Sequence, residues 1–346
     1  MLNARSLAAI FTVGAALLVT AASPAQAAPN SYVALGDSYS SGTGTRSYLN
    51  DGTSCLRSVY AYPSLIAASK GYALNFRACS GATVADVTNL QLGALNTATA
   101  YVSISAGGND AGFADVLTEC AKPAWASNCN GAIDRAHNVI NTQLPGRLAT
   151  LYSSIRSRAP QARVVVAGYP RIFNGEDCNA FTWFSPTEMS RLNATADLVN
   201  AKLTTAARNA GFGFSNPASA FTGHAVCDDA EWLNGLSSPI VESYHPNRAG
   251  HSAGYTPLVG PALTGTPVTL TAATTAAAKA SAPRLTDRQR PYTAQDRTIR
   301  PKTFRVPDLD SPQIKNAAAR AGVNLNSRAS IDAADTKHAK LQSQSR

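Results

Sequence analysis

SYVALGDSYSSGTG (residues 31–44) is an apolar run that stops abruptly at Gly36-Asp37-Ser38 and opens into serine and glycine. A short apolar run bounded by turn-forming residues reads as a buried strand. Its end would place the Ser38 hydroxyl at the carboxyl edge of a sheet, beside the start of a helix. Free backbone N–H groups there face whatever adjoins the hydroxyl, and would stabilise an attacking alkoxide or a developing oxyanion. A serine in that position either caps the helix or is presented for reaction.

The flanking sequence repeats the pattern. ALNFRAC (73–79), YVSISAGG (101–108), ARVVVAGYP (162–170) and GFGFSN (211–216) read as further buried strands. Helical spacing of Leu, Ile and Val covers 130–158 and 186–210, the second opened by Ser185, Pro186 and Glu188 as cap, first-turn proline and capping-box acid. Alternating strands and helices predict a three-layer α/β/α sandwich with a mainly parallel sheet, spanning residues 28–260. Ligands of such sheets gather at the carboxyl ends of the strands. There the second strand ends in Cys79-Ser80-Gly81-Ala82 and the third in Gly107-Gly108-Asn109-Asp110. A glycine N–H and an Asn amide are neutral donors suited to an oxyanion, although both residue types also end strands as ordinary turns.

A nucleophilic serine needs a base. His137 falls in a charged helix, His338 in the C-terminal extension, and His224 in a loop near Cys227. ESYHPNRAG (242–250) places His245 beside Pro246 beyond the last strand, where a loop can fold back over the strand ends. His251 is the second candidate.

The ends of the chain are different in kind. Arg5, the apolar run from Leu7 to Val19 and Ala25-Gln26-Ala27 fit a secretory leader over residues 1–27, cleaved before Ala28. No later run is long enough to span a bilayer, so a soluble, secreted, extracellular protein is expected. Six cysteines follow the leader without zinc-type CxxC spacing. An even number in an exported chain favours disulfides, and consecutive pairing closes the shortest loops, most plainly for Cys120 and Cys129. Residues 261–283 read as a Thr/Ala/Pro linker. From Ser281 onward there are thirteen Lys/Arg against six Asp, whereas the preceding residues are nearly neutral. With Tyr292 and Phe304 as its only aromatics, the basic extension over 284–346 is expected to be mostly disordered, apart from a short helix near 312–321. A basic folded nucleic-acid surface is not indicated.

GDSYSSG, the Gly81 loop, GGND and SYHP, in this order, resemble the four blocks of the SGNH (GDSL-type) hydrolases. More closely, residues 30–260 resemble secreted actinomycete GDSL lipases and esterases, some of them phospholipases. The resemblance implies the pairs Cys55–Cys79, Cys120–Cys129 and Cys178–Cys227. It makes Ser38 the nucleophile, His245 the general base, and Ser38 N–H, Gly81 N–H and the Asn109 amide the oxyanion donors. Tyr39 replaces the usual leucine, a packing position, and Asp37 is expected to hold the turn by hydrogen bonding. Where the family has Asp three residues before the histidine, this chain has Glu242. Either that carboxylate or the Ser243 main-chain carbonyl orients the imidazole, the carbonyl being favoured.

The expected activity is therefore carboxylic ester hydrolysis through an acyl-enzyme, on lipid or small ester substrates. No cofactor or metal is implied and the chain is expected to be monomeric. Two alternatives stand beside this: O-deacetylation of polysaccharide, and a surface-binding protein with an inactive core. The basic extension would suit weak contact with an anionic cell-wall polymer or lipid surface. G-x-S-x-G, P-loop, dinucleotide and H-E-x-x-H motifs are absent.

Overall fold

The computed structural model describes Met1 and residues 30–344, so the leader expected over 1–27 lies, Met1 aside, outside the described residues. Five strands form one wholly parallel sheet: β1 Ser31–Gly36, β2 Ala73–Phe76, β3 Tyr101–Ser105, β4 Arg163–Ala167 and β5 Gly213–Ser215, in the order β2-β1-β3-β4-β5. The chain is a three-layer α/β/α sandwich. Helices Tyr62–Lys70 and Thr256–Thr264 pack together and reach the sheet; helix Pro186–Asn209 packs with Cys129–Thr142 and Leu144–Arg158 and contacts β4 and β5. The single helix expected over 130–158 is broken at Gln143, because Pro145 starts a second helix and cannot donate within the first.

Burial on both faces explains why the strands read as unbroken apolar runs. Val33, Leu35, Val102, Ile104, Val164, Val165 and Val166 are all buried, each stabilising by about 1.5–3 kcal/mol relative to exposure. Because β1 lies between β2 and β3, the chain passes from β1 to β2 on one side and then crosses back to β3 on the other. A crevice forms at such a reversal, and Ser38 stands at its edge. Disulfides join Cys55–Cys79, Cys120–Cys129 and Cys178–Cys227, each contributing on the order of 2–4 kcal/mol.

The expectation of a disordered extension is corrected. Thr271 caps a helix at Ala272–Ala280, and helices follow at Ala282–Gln289, Thr293–Asp296, Pro312–Ala321 and Arg328–Gln344. The physical reason is that the extension borrows its core from the body. Asp296 sits fully buried between Arg57 (2.6 Å) and Arg77 (2.6 Å), and Ile314 and Ile331 pack against Trp125 and Trp183. Among the described residues no helix is long and apolar enough to cross a membrane.

Candidate active site

Three adjacent strand ends build the site. Gly36 closes β1 at φ +119°, where an added Cβ would stand 2.2 Å from Ser105 O, so only glycine lets β1 approach β3 this closely. Asp37 then caps the short turn of Ser38–Ser41 by accepting from Tyr39 N–H (3.0 Å). Its carboxyl also accepts from Ser105 Oγ (2.6 Å) and Tyr169 Oη (2.5 Å), clamping β1 to the ends of β3 and β4. Burial raises its pKa to about 6 against the opposing pull of these bonds. Asp37 thus holds the turn.

On one side of Ser38 is the β2 loop, where Cys79 N–H donates to Gly36 O (2.9 Å) and Gly81 takes φ +83°. On the other is the β3 loop. Asn109 donates one amide hydrogen to Ala82 O (3.0 Å), which ties the two loops and leaves its second hydrogen for a ligand.

His245 arrives from the late loop. Its Nε2 lies 2.9 Å from Ser38 Oγ and its Nδ1 lies 2.9 Å from the Ser243 carbonyl. A carbonyl only accepts, so Nδ1 carries the proton and Nε2 offers its lone pair to the serine hydroxyl. The loop is itself braced. Asn234 N–H donates to His245 O (2.9 Å), Tyr244 N–H donates to Asn234 O (2.9 Å), and Tyr39 Oη donates to Tyr244 O (2.9 Å).

Glu242 does not orient the imidazole. Its carboxylate accepts from Tyr48 Oη and faces Arg46 (3.5 Å), while the backbone turn after it delivers the Ser243 carbonyl instead. The result is a Ser-His pair with carbonyl support and no acid on Nδ1. His251 is fully buried, its Nδ1 accepting from Tyr62 N–H (3.3 Å), and is no base for Ser38. His137 bonds Thr195 (2.9 Å) and His224 stacks on Trp232.

Burial between Tyr39 and Phe113, whose rings are 5.5 and 5.7 Å away, lowers the His245 pKa to about 4, against the opposing effect of the Ser243 carbonyl. The neutral imidazole persists well below the usual value of about 6.5. The acid limb of kcat/KM on a soluble ester is therefore expected near pH 4, with no loss of His245 function between pH 7 and about 5.5. A pH-rate profile with its His-dependent limb near 6.5 would show a solvated imidazole instead.

An apolar pocket is lined by Tyr39 and Phe113, the two rings that flank His245, together with Val116, Leu117, Leu192 and Val199. Sequence reading missed Tyr169, whose hydroxyl donates to Asp37 and accepts from Gly108 N–H (3.2 Å). Its place in GYP at the end of β4 was the available signal. Asn234 carried none.

Residues 34–253 match the profile of the GDSL-like Lipase/Acylhydrolase family. Lipase from Streptomyces rimosus is 44% identical over 253 residues, 71% of this chain and 93% of that one. Lipase 1 from Streptomyces coelicolor is 43% identical over 255 residues, 72% of this chain and 94% of that one. Two crystal structures are similar: the extracellular lipase of Streptomyces rimosus (TM-score 0.63, 43% identity, 67% of this chain and 99% of that one) and phospholipase A1 of Streptomyces albidoflavus NA297 (TM-score 0.64, 43%, 67% and 98%).

Proposed function

Because the chain belongs to the GDSL-like lipase/acylhydrolase family of ester hydrolases, we propose that Ser38 and His245 are its catalytic pair and that it cleaves lipid esters outside the cell. The observation that carries this reading is the 2.9 Å approach of His245 Nε2 to Ser38 Oγ, with Nδ1 committed to a carbonyl. Ser38 Oγ attacks the ester carbonyl carbon and its proton passes to Nε2. The oxyanion is met by Ser38 N–H, Gly81 N–H and the Asn109 amide. Collapse expels the alcohol, protonated by the imidazolium, and leaves an acyl group on Ser38. Water, deprotonated by the same nitrogen, then attacks and releases the acid. Without a carboxylate on Nδ1, the imidazolium relies on the Ser243 carbonyl dipole.

The apolar pocket favours an acyl chain over an acetyl group, and so lipid over acetylated polysaccharide. Likeness to an extracellular lipase and to a phospholipase A1 supports secretion and phospholipid among the substrates. A panel of p-nitrophenyl esters, phospholipid and acetylated xylan tests the reading: hydrolysis of long-chain esters or phospholipid is expected, and turnover of acetylated xylan alone would overturn it. Asn109→Ala is expected to lower kcat by about 10²–10³-fold with KM little changed, since the amide acts on charge that develops in the transition state. Steady-state kinetics on a soluble ester check this.

A further inference from the structure

The loop of the proposed oxyanion donor Gly81 is overlaid by a part of the chain that this catalytic fold does not need. The two Streptomyces structures align over 99% and 98% of their own length with 67% of this chain, and the family match ends at residue 253. Yet the extension returns to the catalytic face. From Asp296, held by Arg57 and Arg77, it runs through buried Ile299 to Pro301. A Cβ built on Gly81 would stand 2.3 Å from Pro301 Cα and 2.9 Å from its nitrogen, so the two backbones touch.

The chain then crosses to helix Phe113–Cys120, whose first residue flanks His245 and whose side walls the apolar pocket. Lys302 pairs with Asp115, and Arg305 N–H donates to Thr118 Oγ1 (3.0 Å). Between them Phe304 is buried with its ring edge-on to Tyr244 at 5.0 Å, next to the catalytic histidine. Both ends of the crossing are anchored, one by the buried Arg57–Asp296–Arg77 cluster. The other is held by Trp183, whose Nε1 donates to Asp332 (2.9 Å).

We propose that residues 299–305 form an autoinhibitory strap, laid from the Gly81 loop to the acyl-pocket helix, that restricts bulky lipid esters while admitting small ones. The proposal rests on the ester-hydrolase reading of Ser38 and His245. Size selectivity follows because the strap narrows the site without sealing it: Ser38 is 5% exposed, but Gly81, Asn109 and His245 each keep partial exposure. A substrate that must displace the strap binds with its apparent affinity reduced by the fraction of molecules already open.

The test uses the full chain with Phe304→Ala, which empties the seat at Tyr244, and Lys302→Glu, which turns an exposed ion pair into repulsion with Asp115 and leaves the core intact. Hydrolysis of p-nitrophenyl palmitate and p-nitrophenyl acetate is measured with the melting temperature of each variant. The palmitate-to-acetate ratio of kcat/KM is expected to rise about tenfold or more in Phe304→Ala. A rise of about two- to fivefold is expected in Lys302→Glu, as suits an exposed pair. A merely structural segment would lower both activities together. An unchanged ratio in folded variants overturns the strap, and a lowered ratio does too, by making the segment part of the acyl site. If Phe304→Ala does not fold, Lys302→Glu decides. Hydrolysis of neither ester by any of the chains, wild type included, overturns the ester-hydrolase reading itself and the strap with it.

Discussion

Ser38→Ala is expected to lower kcat/KM for ester hydrolysis by about 10⁵–10⁶-fold, the scale seen when a nucleophile is removed from a serine hydrolase. The melting temperature is expected to move by less than about 3 °C. The hydroxyl's bond to His245 Nε2 spans two loops that are already fixed by other contacts. Asp37 clamps the turn from the β1 side, and Asn234 and Tyr39 hold the histidine loop from the other. Removing one oxygen therefore deletes the proposed attacking atom and little else. Residual hydrolysis would come from the oxyanion donors and binding alone. Paired kinetic and thermal-melt measurements check both halves of the statement.

Asp296→Ala carries the largest expected effect on stability, about 3–5 kcal/mol, measured as a shift of the urea midpoint. Its two carboxylate oxygens accept from Arg57 Nη2 (2.6 Å), Arg77 Nη1 (2.8 Å) and Arg77 Nη2 (2.6 Å), with all three side chains fully buried. Arg57 keeps Asp51 at 2.7 Å. Among the described residues Arg77 keeps only neutral partners, Gln289 and the Leu90 carbonyl, beside the ring of Tyr292. Burial already lowers the Arg77 pKa, with Asp296 opposing that shift, so deleting the acid leaves a desolvated cation without its counter-charge. An extension hanging free in solvent would make this substitution neutral. A change below about 0.5 kcal/mol would therefore contradict the folded-back extension.

Those two substitutions lie on either side of what the sequence made legible: the surroundings of Ser38 were readable and the burial of Asp296 was not. Around Ser38 the information is local: apolar runs cut off by Gly-Asp-Ser, Ser-Gly and Gly-Asn-Asp are strand ends, and parallel alternation brings strand ends together. His245 was separable from His251 only by its loop and its proline; burial of His251 between Tyr62 and Tyr255 is a tertiary fact. The choice between Glu242 and the Ser243 carbonyl depended on backbone direction, since Tyr244 at φ +61° turns the chain so that the carbonyl, and not the longer carboxylate, reaches Nδ1.

The extension was misread because composition measures what a segment can bury by itself. Residues 284–344 have few apolar side chains, but Asp296, Phe304 and Ile314 are placed where the body supplies arginines, Tyr244 and the two tryptophans. Nothing local in Arg57 or Arg77 announces a buried guanidinium waiting for a distant acid. Tyr39 shows the same limit on a smaller scale: read as a packing substitute for leucine, it also pins the histidine loop through its hydroxyl.

In the proposed mechanism an acyl group passes through Ser38 Oγ. Acid-quenching the enzyme during turnover of a p-nitrophenyl ester, followed by peptide mass spectrometry, tests this most directly. One acyl adduct is expected, on the peptide containing Ser38, absent in Ser38→Ala and accumulating in His245→Ala only at a greatly reduced rate. Undiminished ester turnover by Ser38→Ala, or an adduct on any other residue, would contradict it.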